Sequence, residues 1–134
     1  MNPDARRRAV EEFRDKLSRD TGTSLTAAAC EELLGSRFQG EGHEVTLQSH
    51  PGLFYPSLGS SIMDGKLPVV RPEHREKVAW WCYREAAEAH NSPQGMHRLG
   101  NCYHRGYGVT EDPAQAVAWW GLAENDHHVI GPGG

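Results

Sequence analysis

The sequence is poor in most features that would announce a chemistry. It has three cysteines, Cys30, Cys82 and Cys102, an odd number with no CxxC pair. That count excludes a fully paired disulfide framework and a cysteine zinc finger. No apolar run approaches the length of a membrane span. The opening Met1-Asn-Pro-Asp-Ala-Arg-Arg-Arg leads into Glu11, Glu12 and Asp15 rather than into the apolar stretch of a signal peptide or the acid-free stretch of a transit peptide. The expectation is a cytoplasmic chain, with the nucleus as the alternative, and no membrane partner. Positive charge is not in excess either. Lys and Arg total 14 against 18 Asp and Glu, a formal net charge of −4 with the 8 histidines neutral. Such a balance suits no phosphate backbone, and no nucleic-acid partner is expected. The Arg6-Arg7-Arg8 triplet reads as the solvated face of a first helix.

The usual reactive constellations are missing as well. No two histidines stand three or four residues apart, so none can chelate an ion from one helix face. His97 and His104 share a face but lie roughly 10 Å apart by helix rise, too far for one ion. No serine has the strand-and-elbow setting of a hydrolase nucleophile. A lone Gly106-Tyr107-Gly108 after a helix is a weak phosphate loop. The cysteines fall at helical packing positions and read as inert core thiols. The chain is therefore not expected to be an enzyme, and no metal or cofactor is expected.

What the sequence does contain is punctuated helix. Asn2 and Pro3 supply a cap and first-turn proline for a helix to about Arg19, with Val10, Phe13 and Leu17 as its apolar stripe; Gly22 ends it. Residues 25–38 are alanine-rich and helical by propensity. Between about 40 and 71 the breakers Gly40, Gly42, Pro51, Gly52, Pro56, Gly59, Gly65 and Pro68 predict an ordered long loop with at most a short turn or strand, packed down by Leu53, Phe54, Tyr55, Leu58, Ile62 and Met63. Pro72, Ser92-Pro93 and Asp112-Pro113 then open three helices, ending near His90, Arg105 and Asn125. Gln115 stands where a capping box needs it. Residues 127–134 read as a flexible tail.

An internal echo runs through these helices. Val78-Ala-Trp-Trp returns 39 residues later as Val117-Ala-Trp-Trp, and a helix-register alignment at 37 residues pairs Ala79 with Ala116, Tyr83 with Trp120 and Ala86 with Ala123. Ala86-Ala-Glu followed by Leu99-Gly100-x-x-Tyr103-x-x-Gly106-x-Gly108-Val109-x-x-Asp112-x-x-x-Ala116-x-x-Trp119 resembles the Sel1-like repeat, a relative of the tetratricopeptide repeat. The resemblance implies an all-α fold of antiparallel helix pairs stacked as a solenoid. Gly100 would allow close helix approach, Gly106 and Gly108 would turn the chain, Val109 would plug the turn and Asp112 would cap the second helix. Leu99, Tyr103, Ala116, Trp119 and Trp120 would form the shared core. A fainter Leu34-Gly35-x-x-Phe38-x-Gly40-x-Gly42 suggests a degenerate first unit over 23–91, interrupted by the 40–71 insertion. Residues 1–22 would then form a capping helix and 92–126 a complete second unit. Two units bury little, so either caps stabilise them or the chain is a fragment of a longer array.

The resemblance implies a protein-interaction or adaptor module that binds a protein or peptide. Two surfaces are candidates. Trp81 shares a helix side with Glu85 and Glu88; it is either covered by the insertion or exposed as an interface anchor. Arg98, Asn101 and Arg105, flanked by His97 and His104, form a basic strip suited to an acidic partner, or else an ordinary solvated helix face. The alternative function is a metal-dependent or hydrolytic enzyme using His43, His50 and His74 of the insertion.

Overall fold

The computed structural model describes residues 2–40 and 42–128. Helix α1 spans Pro3–Thr21 and α2 spans Ala27–Leu34. Short strands β1 (Phe38–Gln39) and β2 (Glu44–Val45) pair antiparallel, with Phe38 opposite Val45. Then come α3 (Pro51–Met63), a single 3₁₀ turn (Pro72–His74), α4 (Arg75–His90), α5 (Pro93–Arg105) and α6 (Pro113–His128). The fold is all-α, with adjacent helices packed pairwise: α3 on α4, α4 on α5, α5 on α6. The tail expected at 127–134 lies, from residue 129 on, outside the described residues.

The caps read from the sequence organise the chain locally. Asn2 Oδ1 accepts from the Ala5 amide at 2.7 Å, and Gly22 closes α1 in the left-handed region at φ 73°. Ser92 Oγ accepts from Gly95 N, and Asp112 Oδ1 accepts from Gln115 N at 3.2 Å. Gly106 ends α5 at φ 72°, and Gly108, at φ 74°, lies against the Glu76 carbonyl, where no side chain would fit.

The expected loop between 40 and 71 is the main correction. Thirteen of its residues are helix α3. Its prolines and glycines do not break it, for specific reasons. Pro51 occupies the first turn, where a missing N–H costs nothing. Pro56 removes the hydrogen bond that the Gly52 carbonyl would have accepted, and that carbonyl instead accepts from Ser92 Oγ at 2.7 Å. Gly59 is needed because Tyr83 crosses it: a Cβ there would stand 2.7 Å from Tyr83 Cε1. The partner of α4 in the first helix pair is therefore α3, not residues 25–39. Helix α2 stops at Leu34 because Gly35 and Ser36 close it with backbone bonds to Glu31 and Leu33, releasing Phe38 into the β-hairpin.

The two helix pairs repeat one contact. In the first, Tyr83 of α4 lies over Gly59 of α3 and its hydroxyl meets Ser60 Oγ at 3.1 Å. In the second, Trp120 of α6 lies over Gly100 of α5, and its Nε1 donates to Asn101 Oδ1 and to the His97 carbonyl, both at 3.2 Å. Each glycine admits the aromatic ring, and the next residue takes its polar atom. Between pairs, Gly95 of α5 meets Ala86 and the Ala87 amide of α4, with a hypothetical Cβ 2.5 Å from Ala86 Cβ.

Helix α4 is the centre of the core. Val78, Ala79, Trp80, Trp81, Cys82, Tyr83, Glu85, Ala86 and Ala87 are all buried on it. Helix α1 closes one side. Phe13 meets the Trp81 ring edge-on at 5.3 Å, Asp20 Oδ2 accepts from Trp81 Nε1 at 2.9 Å, and Lys16 Nζ pairs with Glu85 at 2.8 Å. The Trp81 hydrogen bond, helped by the nearby charges of Arg84, Arg19 and Lys16 and opposed by burial, holds the Asp20 carboxyl below its ordinary value.

Three outcomes test this account. Ser92→Ala removes a helix cap and strands the Gly52 carbonyl, and should cost about 2–3 kcal/mol in urea denaturation. Gly95→Ala should destabilise by about 1–3 kcal/mol through overpacking, while Gly121→Ala, with open space around its Cβ, should stabilise by roughly 0.5–1 kcal/mol. Because the folded pKa of Asp20 lies below 3.8, its contribution to stability is complete above that value and fades as pH falls through the folded pKa. Asp20→Asn keeps an acceptor for Trp81 without the titration, so the difference in urea midpoint between pH 7 and about pH 3.5 should shrink relative to the parent chain.

Candidate functional site

Helix α5 carries the basic strip, and the structure leaves most of it uncovered. Its inner side, Gly95, Met96, Leu99, Gly100 and Cys102, is buried. On the outer side His97, Arg98, His104 and Arg105 are exposed. Asn101 is half-buried and already engaged, its amide oxygen accepting from Trp120. The His104 ring stands 5.4 Å from the Trp120 ring. Neither Arg98 nor Arg105 makes an ion pair among the described residues.

Beside this strip lies a groove of about 840 Å³ where α3, α5 and the end of α6 meet. Leu53 and Pro56 of α3, Pro93 of α5, and Trp120 and Ala123 of α6 give it apolar walls; His97 and Arg98 reach it from α5. A smaller hollow of about 290 Å³ continues along α3 and α5, bordered by Met63, Asn101, Arg105 and Tyr107, and shares Ser60 and Arg98 with the first. Arg98 thus stands between two compartments of one groove. The α3 side of this groove was invisible while 40–71 was read as a loop. Leu58-Gly59-x-x-Ile62, which has the order of Leu99-Gly100-x-x-Tyr103, was the signal that could have found it.

Trp81 is not part of any surface. It is 1% exposed, enclosed by Phe13 and Asp20 of α1 and by Tyr55 of α3 at 6.2 Å. The polar neighbours that suggested a solvated side mislead because Glu85 is itself buried and paired with Lys16. The repeat residues occupy the places the resemblance implies. Leu99 and Ala116 are 1% exposed, and Tyr103, Val109 and Trp119 pack half-buried against the core. Trp120 is also half-buried. Truncating Trp119 thus costs less than the roughly 3–5 kcal/mol of a fully buried tryptophan.

The histidines of the rival reading do not come together as a set. The His43 and His50 rings lie 4.6 Å apart with a tilt of 32°, and His50 Nδ1 stands 3.0 Å from Ser49 Oγ. His74 sits in the 3₁₀ turn before α4. Among the described residues no group of three or more His, Cys, Asp or Glu side chains could hold a metal ion. The three cysteines are free and buried. Burial pushes the thiols of Cys30 and Cys82 up and that of Cys102 up to about 12, so all three stay protonated, non-nucleophilic packing groups near neutral pH. Among the described residues no helix is long and apolar enough to cross a membrane.

Comparison with known proteins agrees with this geometry. No curated protein and no solved structure matches the chain significantly. The family model described as Sel1 repeat matches residues 58–91 and 93–126, half of the chain. Its first match begins within α3 and its second at the start of α5, the two first helices of the packed pairs. Sel1 repeats are generally protein-interaction modules, typically non-enzymatic scaffolds. Two paired-helix units, each with an aromatic laid over a glycine and both matched by that model, place the chain in the Sel1 repeat family.

Proposed function

We propose that this chain is an adaptor that binds an acidic segment of a partner protein on the face formed by α3 and α5, with Arg98 and Arg105 as the charged contacts and His97, Asn101 and His104 around them. The observation that carries the reading is a pair of exposed arginines, without ion-pair partners among the described residues, beside an apolar groove on a rigid helical frame. Arg6, Arg19, Arg37, Arg71 and Arg84 pair with carboxylates of their own chain, and the exposed Arg7, Arg8 and Arg14 have no such pair among the described residues. What sets Arg98 and Arg105 apart is that they border the groove. An uncommitted guanidinium next to apolar walls is the arrangement that supports recognition rather than stability alone, since arginine presents five donors in a planar fork. The net charge of −4 works against acidic partners elsewhere on the surface, which concentrates their attraction on this face.

A photo-crosslinking amino acid placed at position 97 should give a discrete partner adduct in cells, and one placed at the exposed Glu12 of α1 should not. Arg98→Glu combined with Arg105→Glu should lower the adduct by at least about tenfold at unchanged helicity. Adducts from position 12 alone, or an undiminished adduct from the charge-reversed chain, would overturn the assignment.

A further inference from the structure

We infer, resting on the adaptor reading above, that the groove selects a peptide segment in which one large apolar side chain enters the Leu53–Pro56–Trp120 hollow and an adjacent carboxylate docks on Arg98. The argument begins from which polar atoms the groove has left to offer. Trp120 Nε1 is taken up by the His97 carbonyl and Asn101, so its ring turns only carbon and π surface to the groove. The hydroxyls of Tyr83 and Ser60 bond each other. Of the groups at the junction of the two hollows, the Arg98 guanidinium has no hydrogen-bond or ion-pair partner among the described residues, and it can only donate. An occupant must therefore bring an acceptor to that point, and a charged acceptor makes the stronger bond.

Charge placement sharpens the choice. Asp64 lines the smaller hollow together with Arg98, so that compartment already holds one carboxylate of the chain. A run of acids along the groove would meet the Asp64 carboxylate in the smaller hollow, whereas a single carboxylate at Arg98 flanked by uncharged residues brings no second charge there. The apolar component follows from the walls. Leu53, Pro56, Pro93, Trp120 and Ala123 surround a hollow of about 840 Å³, within the size range of sites that enclose a bulky apolar group together with part of its neighbouring chain. Trp120 is held over Gly100 by two hydrogen bonds, so the platform exists before the ligand arrives and little ordering cost falls on binding.

The test uses the full chain and fluorescein-labelled short peptides of serine and glycine that carry one phenylalanine and, one residue further on, one glutamate. Anisotropy should show saturable binding. Replacing the glutamate by glutamine, or the phenylalanine by alanine, should each weaken it by at least about tenfold. Arg98→Glu should abolish binding of the glutamate peptide and favour the same peptide carrying lysine instead, a reversal that a misfolded variant could not produce. Equal binding by the glutamine or the alanine peptide would overturn the paired recognition. So would octanoate displacing the peptide at lower concentration than the unlabelled peptide does, since the site would then belong to a small amphiphilic acid. If no peptide binds while a crosslinker at position 97 still captures a partner, the occupant is wrong and the adaptor reading stands; if both are silent, both fail.

Discussion

The two helix pairs depend on a contact between an aromatic ring and a bare α-carbon. Tyr83 over Gly59 and Trp120 over Gly100 set how closely α4 approaches α3 and α6 approaches α5. A ring can lie flat against a helix only where a side chain is missing, and interhelical distance follows directly from the side chains at the crossing. The residue after each glycine then fixes the ring's orientation, through Ser60 in one pair and Asn101 in the other. Packing alone would tolerate rotation of the ring; the hydrogen bond removes that freedom. The groove wall is thus a by-product of the contact that holds the second pair together, because Trp120 performs both tasks at once.

The first helix pair also shows how a breaker can be neutralised from a distance. Pro56 frees the Gly52 carbonyl, and in an isolated peptide that loss and the ring clash would count heavily against a helix. Here Ser92, forty residues away in sequence, donates to that carbonyl while capping α5 with the same hydroxyl. No local window contains this information. The sequence from Pro72 onward was legible because its caps, glycines and aromatics act within a few residues of themselves: Ser92 on Gly95, Asp112 on Gln115, Gly106 at the end of α5. Residues 51–63 were not, because their helix depends on Ser92 for a hydrogen bond and on Tyr83 for its glycine. The basic half of the groove on α5 was therefore readable from helical spacing, and the apolar half on α3 was hidden with the helix that carries it.

Trp81 illustrates the opposite error, a local pattern that was present and misleading. Glutamates at 85 and 88 mark a polar side by helical spacing, but a polar side is solvated only if nothing supplies its partners. Helix α1 supplies Lys16 for Glu85 and Asp20 for the Trp81 indole, so a charged residue and a tryptophan share one buried seam. Such a seam specifies where α1 docks more narrowly than apolar contact would, since a shifted helix would strand both the glutamate and the indole N–H.

The distribution of satisfied and unsatisfied groups therefore separates structure from function in this molecule. Along α1, α3 and α4 the polar atoms named here are matched within the chain: Asn2 to Ala5, Asp20 to Trp81, Lys16 to Glu85, Gly52 to Ser92, Ser60 to Tyr83. On the outer side of α5, Arg98 and Arg105 make no ion pair among the described residues, on a helix whose inner side is bound by Gly95 and Gly100 to both neighbours. A helix held at two close crossings cannot turn those arginines inward, so their charged heads stay in water on the outer side. The frame thus keeps both cations on the side of α5 that borders a preformed groove. That coupling, tight where α5 meets its neighbours and open where it faces outward, leaves one side of the helix accessible while the other fixes the packing.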